Sequence, residues 1–563
     1  MKILGLHNSL ESSVSLYVNG EIVSAISEER FNRIKNFRGF PKKALKYTLK
    51  KFNLSLKDLD FIVYGIVDKI YPDNDLKLRF LKKKNETPKK FHKKFEDRIK
   101  TEINWNKKYL GKIKNFAKKN NIQQKLFFID HHESHAASAY FCSPFKNAHI
   151  FTFDGKGGFR SGSYYIGEGN KFKRKEYLTT FESLGYFYGN VTKVLGFKSE
   201  RHEGKVTGLA AFGKKTKLIE YFEKLIVKQK RSYSINFGSD YLPWFCEKKN
   251  LPNFYIKLSK YSKEDIAYAA QYILEKTITS FIKSNIPKNK NINICLAGGV
   301  FANVKLNQKI REIKNIKNVY VQPAMSDTGI SLGSIYAFLS RKKKIKPIFL
   351  KSVALGSSYM IQDIQKKIKK KYIIKKEKNI DELLLNEFMA GNPVGYFSGK
   401  MEFGPRALCQ RSILYHSKDV TINDWLNKKL KRTEFMPFAP VTIEDYAKKS
   451  FKGWIKKDRS ADFMTMTYEC TKEFIDKCPA SVHVDKTARP QIIRKNTNPK
   501  FYRILKKYLK KTGELAIINT SFNRHEEPIV QDINDALSVL DSNIIKTLVF
   551  ENYSIKKKSL LCK

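Results

Sequence analysis

The sequence predicts an α/β protein of two units, the first of them internally duplicated. Three observations carry this. Strand-like and helix-like periodicities alternate along the chain. A three-stranded meander followed by helical segments occurs twice in the first half. A basic stretch at 340–349, "SRKKKIKPIF", reads as a linker, and a further α/β pattern runs from about 390 to the end.

The elements follow in order. "KILGLH" reads as a buried strand, "SVSLYV" as a second, and "EIVSAIS" as a third, with Asn19-Gly20 as a two-residue hairpin signal between the last two. "FPKKALKYTLKKF" starts a helix with Pro41 near its first turn. The meander returns in "KNAHIFTFDGKGGFRSGSYYIGEG", read as strand, Asp154-Gly155 turn and strand. "NINICLAGGVFANVKLNQKI" is a buried strand, a Gly298-Gly299 turn and a helix. Glycines there admit a ligand to the backbone, and a helix N-terminus offers N–H groups to an anion. "NVYVQPAMSDTGISLGSIYAFL" repeats the idea, with Asp327 between strand and helix.

Composition narrows the class. A chain of 563 residues, 42% hydrophobic and 13% aromatic, supports two to four folded domains. No run of 18 apolar residues or signal peptide is visible, so neither a membrane span nor secretion is expected. Seven scattered cysteines without a CxxC pair fit a reducing cytosol and a cytoplasmic protein. The formal charge of +54 admits two readings: a polyanionic partner, or lysine spread evenly over the surface. The second is favoured. The densest basic stretch, about 77–118, reads as a solvated helical insertion without the glycine and aromatic interleaving of an RNA-binding strand.

Two groups of residues carry chemistry. "IDHHESHAASAYF" places three of the ten histidines within five residues, with His131 and His135 one helical turn apart on one face. Alone, such a pair is also what a polar helix yields by chance. Together with strand-end carboxylates at Asp154 and Asp327, it makes a two-His, two-Asp set suited to iron(II), manganese or zinc. The second group lies near the C-terminus. "SGKMEFGPRALCQRSIL" holds Arg406 and Arg411, "KKLKRTEFMPFAPV" Lys431 and Arg432, "HVDKTARPQ" His483 and Arg489, and "NTSFNRHEEP" Ser521 and Asn523. Arginine forks and a Ser–Asn turn suit a small phosphate.

Eight segments now add up to a resemblance: "ISEERFNRIKNFRGFP", "DHHESHAASAYF", "HEGKVTGLAAFG", "LAGGVFANVKLN", "SGKMEFGPRAL", "EFMPFAPV", "HVDKTARPQ" and "NTSFNRHEEPIV". In this order the sequence resembles the ATP-dependent O-carbamoyltransferases of nodulation-factor, antibiotic and polysaccharide biosynthesis. The resemblance implies an N-terminal actin-like (ASKHA) domain of two RNase-H-like halves over 1–345. It implies connecting chain over 346–389 and a C-terminal YrdC-like domain over 390–563. The C-terminal domain is then expected to cleave carbamoyl phosphate. The N-terminal one is expected to join the carbamate to ATP as carbamoyl adenylate, which an acceptor hydroxyl attacks.

Several residue roles follow from the same resemblance. The metal falls on His131, His135, Asp154 and Asp327, which also form the catalytic set. ATP, arriving with magnesium, is expected at Gly155, Glu203, Lys205, Gly298, Gly299, Asn303 and Asn307. Carbamoyl phosphate is expected at Arg406, Arg411, Lys431, Arg432, His483, Arg489, Ser521 and Asn523. The family's His-Asp-x-Ser element reads "LESS" here, with Leu10 at the histidine position and His7 three residues earlier. The acceptor's general base is therefore left open, as are the acceptor, a saccharide by expectation, and a homodimeric state. The competing readings are a tRNA-modifying transferase and a non-catalytic actin-like nucleotide-binding protein. The second predicts loss of the four metal residues, and all four are present. No specific nucleic acid is expected.

Overall fold

Two five-stranded sheets with one strand order make up the first unit. In the first sheet, β1 (Lys2–His7), β2 (Ser13–Val18), β3 (Glu21–Ser27), β4 (Phe61–Tyr64) and β5 (Leu126–Phe128) lie in the order β3-β2-β1-β4-β5. In the second, β6 (Asn147–Gly157), β7 (Arg160–Glu168) and β8 (Lys171–Thr179) form the meander. After a separate ribbon of β9 (Ile226–Lys228) and β10 (Tyr233–Ile235), β11 (Ile292–Ala297) and β12 (Ile316–Val321) complete the order β8-β7-β6-β11-β12. β1 and β6 are each antiparallel to the next strand and parallel to the fourth, which is parallel to the fifth. The computed structural model describes all residues except 67–68, 239, 245–251, 344, 346–348, 362–370, 430–434 and 559–563.

The helices interlock these sheets. Helices α1 (Asn74–Asn85) and α2 (His92–Lys119) fill the connection from β4 to β5, and α3 (His131–Phe141) follows β5. Beyond them come α4 (Glu203–Leu209), α5 (Lys263–Asn285), α6 (Val304–Arg311) and α7 (Ile330–Arg341). Although α3 follows the first sheet, it packs on β6, β7 and β11; α7 follows the second and packs on β1, β2 and β4. The two helices also pack on each other, at small residues. A side chain on Gly333 would lie 1.9 Å from the carbonyl oxygen of Ser134. This exchange brings the starts of α3 and α7 to one place, because each helix follows the last strand of its own sheet.

Two local expectations need correction. The Asp154-Gly155 turn is absent: β6 runs through it, and the chain reverses at Gly158-Phe159, which supply the positive φ values of 58° and 67°. Asp154 instead sits where the β6–β7 register breaks, between Phe153 and Gly157. The lysine-rich insertion is also not merely solvated. Along α2, Phe95, Arg98, Glu102, Asn106, Leu110, Ile113 and Ala117 are buried at spacings of three and four. Phe95 stacks on Phe181 at 4.0 Å, and Arg98 pairs with Glu102 at 2.9 Å. The three polar members of the row hid its period in the sequence.

The chain divides into Met1–Ala25 with Asn36–Leu350, and Ile26–Lys35 with Lys351–Lys563. In the second unit the strands are β13 (Tyr372–Lys376), β14 (Val394–Phe397), β15 (Arg411–His416), β16 (Ala439–Ile443), β17 (Tyr468–Glu469), β18 (Thr487–Ala488), β19 (Gln491–Ile493), β20 (Ile517–Ser521), β21 (Thr547–Phe550) and β22 (Tyr553–Lys557). Eight of them form one sheet, β13-β22-β21-β14-β15-β20-β16-β19, and β17 pairs with β18. Residues 372–389, expected as connecting chain, thus supply an edge strand and the helix Ile380–Met389.

Period-two alternation divides this sheet's side chains between two cores. Phe397, Ile413, Leu548 and Phe550 face one; Val394, Tyr396, Leu414 and Val549 face the other. The second core is closed by the helix Pro499–Thr512, whose ends are written in the sequence. Asn498 accepts from Phe501 N at its start, Pro499 takes the first position, and Gly513 at φ 71° stops it. Its Phe501, Ile504, Leu505 and Tyr508 are buried at helical spacing.

Candidate active site

The exchange of helices gathers His131, His135, Asp154 and Asp327. Asp130 caps α3, accepting from Glu133 N at 2.9 Å, so the helix begins at His131. His135 Nε2 lies 3.0 Å from Asp154 Oδ2 and 3.5 Å from Asp327 Oδ1; His131 Nε2 lies 3.4 and 3.8 Å from the same two oxygens. One ligand atom from each residue falls within 4.8 Å of all the others. Four ligands at about 2.0–2.2 Å from a shared ion would be spaced by about 3–3.5 Å, so this donor set fits a divalent cation. The two histidines are buried and the carboxylates half-buried, which leaves the oxygen side approachable.

Close packing sets the rings. A Cβ at Gly157 would lie 2.1 Å from the His131 ring, so only glycine fits opposite it. Gly298, at φ 102°, could carry no side chain either: its Cβ would meet Phe153 O at 2.2 Å. One residue on, Gly299 passes 3.2 Å from Asp154 Oδ1 by the same measure. Arg160 Nη1 donates to the cap residue Asp130 at 3.1 Å, tying the β6–β7 hairpin to the start of α3.

The electrostatics are those of a shared proton site. Burial opposes charge on His135, but its hydrogen bonds to Asp154 and Asp327 outweigh this and raise the imidazole to about 9. Burial works against the Asp327 carboxylate too, yet His131, His135 and His7 hold it well below the usual range. His132 points elsewhere: its Nδ1 meets Thr152 Oγ1 at 2.9 Å, and burial beside His131 depresses it to about 3. It is a core histidine.

Around the cluster, Gly155 N reaches the Asp154 carboxylate at 2.6 Å, and Gly155 O accepts from Ser183 at 2.7 Å. Glu203 begins α4; its carboxylate accepts from Glu200 N at 2.7 Å, and burial pushes it up to about 7. Lys205 is buried, with its ammonium 5.8 Å from the Phe197 ring. Asn303 caps α6 through Leu306 N and pairs with Gln271 of α5 at 2.8 Å. Asn307 donates to Phe301 O at 2.7 Å. Both asparagines thereby shape the turn that begins at Gly298.

The second unit assembles its basic residues differently. Glu402 accepts from three amides, Leu408 N, Gln410 N and Arg411 N, at 2.6–3.0 Å, and so curls the Gly404–Pro405–Arg406 loop around its carboxylate. Asn519 Nδ2 donates to Ala407 O at 3.2 Å and to Gln491 Oε1 at 2.8 Å. Three segments are stitched there: one carries Arg406, one Arg489 two residues before Gln491, and one Ser521 two residues after Asn519. Ser521 Oγ donates to Asn523 at 2.6 Å, and Asn523 closes its own loop onto Glu527 O at 2.7 Å. His483 stands beside Phe435 O at 3.2 Å and Asp485 at 3.4 Å. Lys431 and Arg432 lie outside the described residues.

Arg411 departs from its expected place. It is fully buried, stacks 3.5 Å over the Phe397 ring, and donates to the carbonyls of Ser398, Gln410, Ser357 and Gly399 at 3.0–3.2 Å. A fork committed to four carbonyls organises the loop from within rather than facing an anion.

Two family models together cover most of the chain. The one described as carbamoyltransferase N-terminus matches residues 2–336, and the one described as carbamoyltransferase C-terminus matches 385–557. The chain belongs to the carbamoyltransferase family. Among its relatives are two uncharacterized proteins of Methanocaldococcus jannaschii. One is 31% identical over 99% of this chain and 100% of its own length; the other is 32% identical over 99% of both. Nodulation protein NolNO of Sinorhizobium fredii is 27% identical over 98% of this chain and 79% of its own. Among solved structures, component A of the (R)-2-hydroxyglutaryl-CoA dehydratase of Acidaminococcus fermentans covers 61% of this chain and 98% of itself at 14% identity and a TM-score of 0.34. That likeness is too loose to define the fold, which rests on the sheet topology above.

In this carbamoyltransferase, His7, whose role the sequence left open, and three residues that the sequence did not single out organise the sites. His7 stands at the cluster, with Nε2 2.7 Å from Leu10 O and 3.6 Å from Asp327. Glu402 and Asn519 hold backbone groups, and Gln491 accepts from the side chains of Asn519 and Cys409, so neither spacing nor periodicity announced them. Among the described residues no helix is long and apolar enough to cross a membrane.

Proposed function

We propose that this carbamoyltransferase moves a carbamoyl group from carbamoyl phosphate, through an ATP-derived carbamoyl adenylate, to a hydroxyl of a sugar or small-molecule acceptor. The observation that carries the reading is the convergence of His131, His135, Asp154 and Asp327 beside the Gly298-Gly299 turn. Family membership supports the transfer itself. The matching order of the two first-unit sheets supports an actin-like, duplicated N-terminal domain over about 1–345, and a YrdC-like domain over 390–563 is its proposed partner.

In the C-terminal domain, Arg406, Arg489, His483, Ser521 and Asn523 bind carbamoyl phosphate, with Lys431 and Arg432 assigned to the same anion. Charge-assisted donors from separate loops orient the phosphate for departure. Water and carbamoyl phosphate give carbamate and inorganic phosphate. In the N-terminal domain, Gly155, Gly298 and Gly299 let the ATP phosphates approach the backbone, while Glu203, Lys205, Asn303 and Asn307 form or brace the nucleotide site. A divalent ion held by the four-residue cluster, iron(II) or in its place manganese or zinc, would neutralise charge on the phosphates, with magnesium accompanying ATP. Carbamate attacks the α-phosphorus, pyrophosphate leaves, and the acceptor hydroxyl then displaces AMP from the carbonyl. Adenylation turns a poor electrophile into one with a good leaving group.

The test follows the carbamoyl group. Incubation with ATP, labelled carbamoyl phosphate, total tRNA and a panel of saccharides should place label on a saccharide. Label on tRNA would overturn the acceptor assignment in favour of a tRNA-modifying transferase.

A further inference from the structure

A short piece of the N-terminal sequence is built into the C-terminal unit. Residues Ile26–Lys35 group with Lys351–Lys563, although the chain on both sides of them belongs to the first unit. The helix Glu29–Asn32 ends at Arg33, whose φ of 62° stops it. Arg33 Nη1 donates to Ile529 O at 2.8 Å and Nη2 to Pro528 O at 2.7 Å, while Asp535 lies 3.3 Å from Nη1. Arg30 is buried, and its Nη2 donates to Gly404 O at 2.8 Å.

These three carbonyls belong to the two loops that carry the proposed anion ligands. Gly404 opens the turn holding Arg406. Pro528 and Ile529 end the loop that begins at Ser521 and Asn523, and Asn523 donates to Glu527 O, the carbonyl just before theirs. The same loops share a small apolar core of Met401, Ala407 and Ile529. The peptide is planar, so fixing a carbonyl fixes the orientation of its whole peptide unit. A guanidinium can hold two successive carbonyls with two parallel N–H groups, whereas a single ammonium offers no such fork.

We infer that Arg30 and Arg33 are positioning residues for carbamoyl-phosphate cleavage: they hold the Gly404–Arg406 turn and the Ser521–Ile529 loop in register, although they lie in the N-terminal sequence. The inference rests on the assignment of those loops to carbamoyl phosphate. It goes further in making the cleavage site depend on residues far outside the C-terminal sequence.

The experiment uses full-length protein and three variants, Arg33→Ala, Arg33→Lys and Arg30→Ala. Two reactions are followed: phosphate release from carbamoyl phosphate, and acceptor carbamoylation from chemically supplied carbamoyl adenylate. Arg33→Ala is expected to raise the KM for carbamoyl phosphate at least tenfold, with Arg30→Ala moving it in the same direction. Turnover of supplied adenylate should stay within twofold of the unsubstituted protein. Arg33→Lys, which keeps the charge and the fold but loses the fork, should fall between. Equal losses in both reactions, or an unchanged KM for carbamoyl phosphate in Arg33→Ala or Arg33→Lys, would overturn the inference. Unsubstituted protein that releases no phosphate at all would instead remove the loop assignment, and the inference with it.

Discussion

The His–Asp cluster of the first unit and the loops proposed to hold an anion in the second use charged residues in opposite ways. In the cluster, the reactive groups meet each other: two histidines from the start of α3, one carboxylate from within β6 and one from just ahead of α7 lie within 4.8 Å. In the loops, much of the charge is turned inward to hold backbone. Glu402 holds three amides, Arg411 four carbonyls, and Arg33 two. Residue type alone therefore predicts which side chains converge where topology delivers them to a common point. It predicts poorly where the backbone consumes them.

The comparison can be broken most sharply at His135. His135→Ala should abolish ATP-dependent carbamoylation and lower metal affinity by more than about 100-fold, because a direct ligand matters more than the outer partners worth 10–100-fold. Circular dichroism should remain that of a folded protein. Unchanged metal content and activity would show that the cluster is a polar core and not a site.

Arginine substitutions sharpen the other side. Arg411→Ala strips a buried cation from four carbonyls and should cost about 3–5 kcal/mol in denaturant unfolding of the second unit. Arg406→Ala should leave stability within about 0.5 kcal/mol and raise the KM for carbamoyl phosphate. Equal stability of the two variants would erase the distinction between holding a loop and holding a ligand. In the insertion, Phe95→Ala should cost about 3–5 kcal/mol, as loss of an aromatic core ring does, and denaturant titration would reveal a merely solvated helix by its indifference.

A pH experiment reads the cluster alone. His135 is raised to about 9 in the metal-free fold, above the ordinary histidine value of about 6.5. Its contribution to stability is therefore fully present below about pH 6.5 and lost as pH rises through about 9. A metal must displace that proton, so affinity should climb about tenfold per pH unit up to about pH 9 and then level off. Isothermal titration with manganese or zinc between pH 6.5 and 9 measures the slope. The smallest expected effect concerns the charge of +54. RNA binding should be weak, indifferent to sequence and steeply lost between low and physiological salt.

Much of this was legible before the structure, for identifiable reasons. His131 and His135 share a helical face, and Asp327 stands between a strand and a helix as expected; of the four, only the setting of Asp154, inside β6 and not at its end, was misread. The β2–β3 hairpin was legible because Asn19-Gly20 supplies the positive φ values its turn needs. Arg411 was misplaced because nothing in "GPRALCQR" tells a guanidinium that feeds carbonyls from one that awaits phosphate. The insertion hid its core row because Arg98, Glu102 and Asn106 occupy buried positions through mutual pairing and packing. Arg30 and Arg33 could not be read as part of the second unit at all, since their partners lie more than 370 residues away along the chain.

The central claim is that two half-reactions are divided between the two halves of one chain. It is tested most directly by exchange of labelled pyrophosphate into ATP in the absence of acceptor. The account predicts exchange that requires carbamoyl phosphate, disappears in His135→Ala while phosphate release continues, and disappears in Arg489→Ala together with phosphate release. Exchange that proceeds without carbamoyl phosphate, or that survives in His135→Ala, would contradict it.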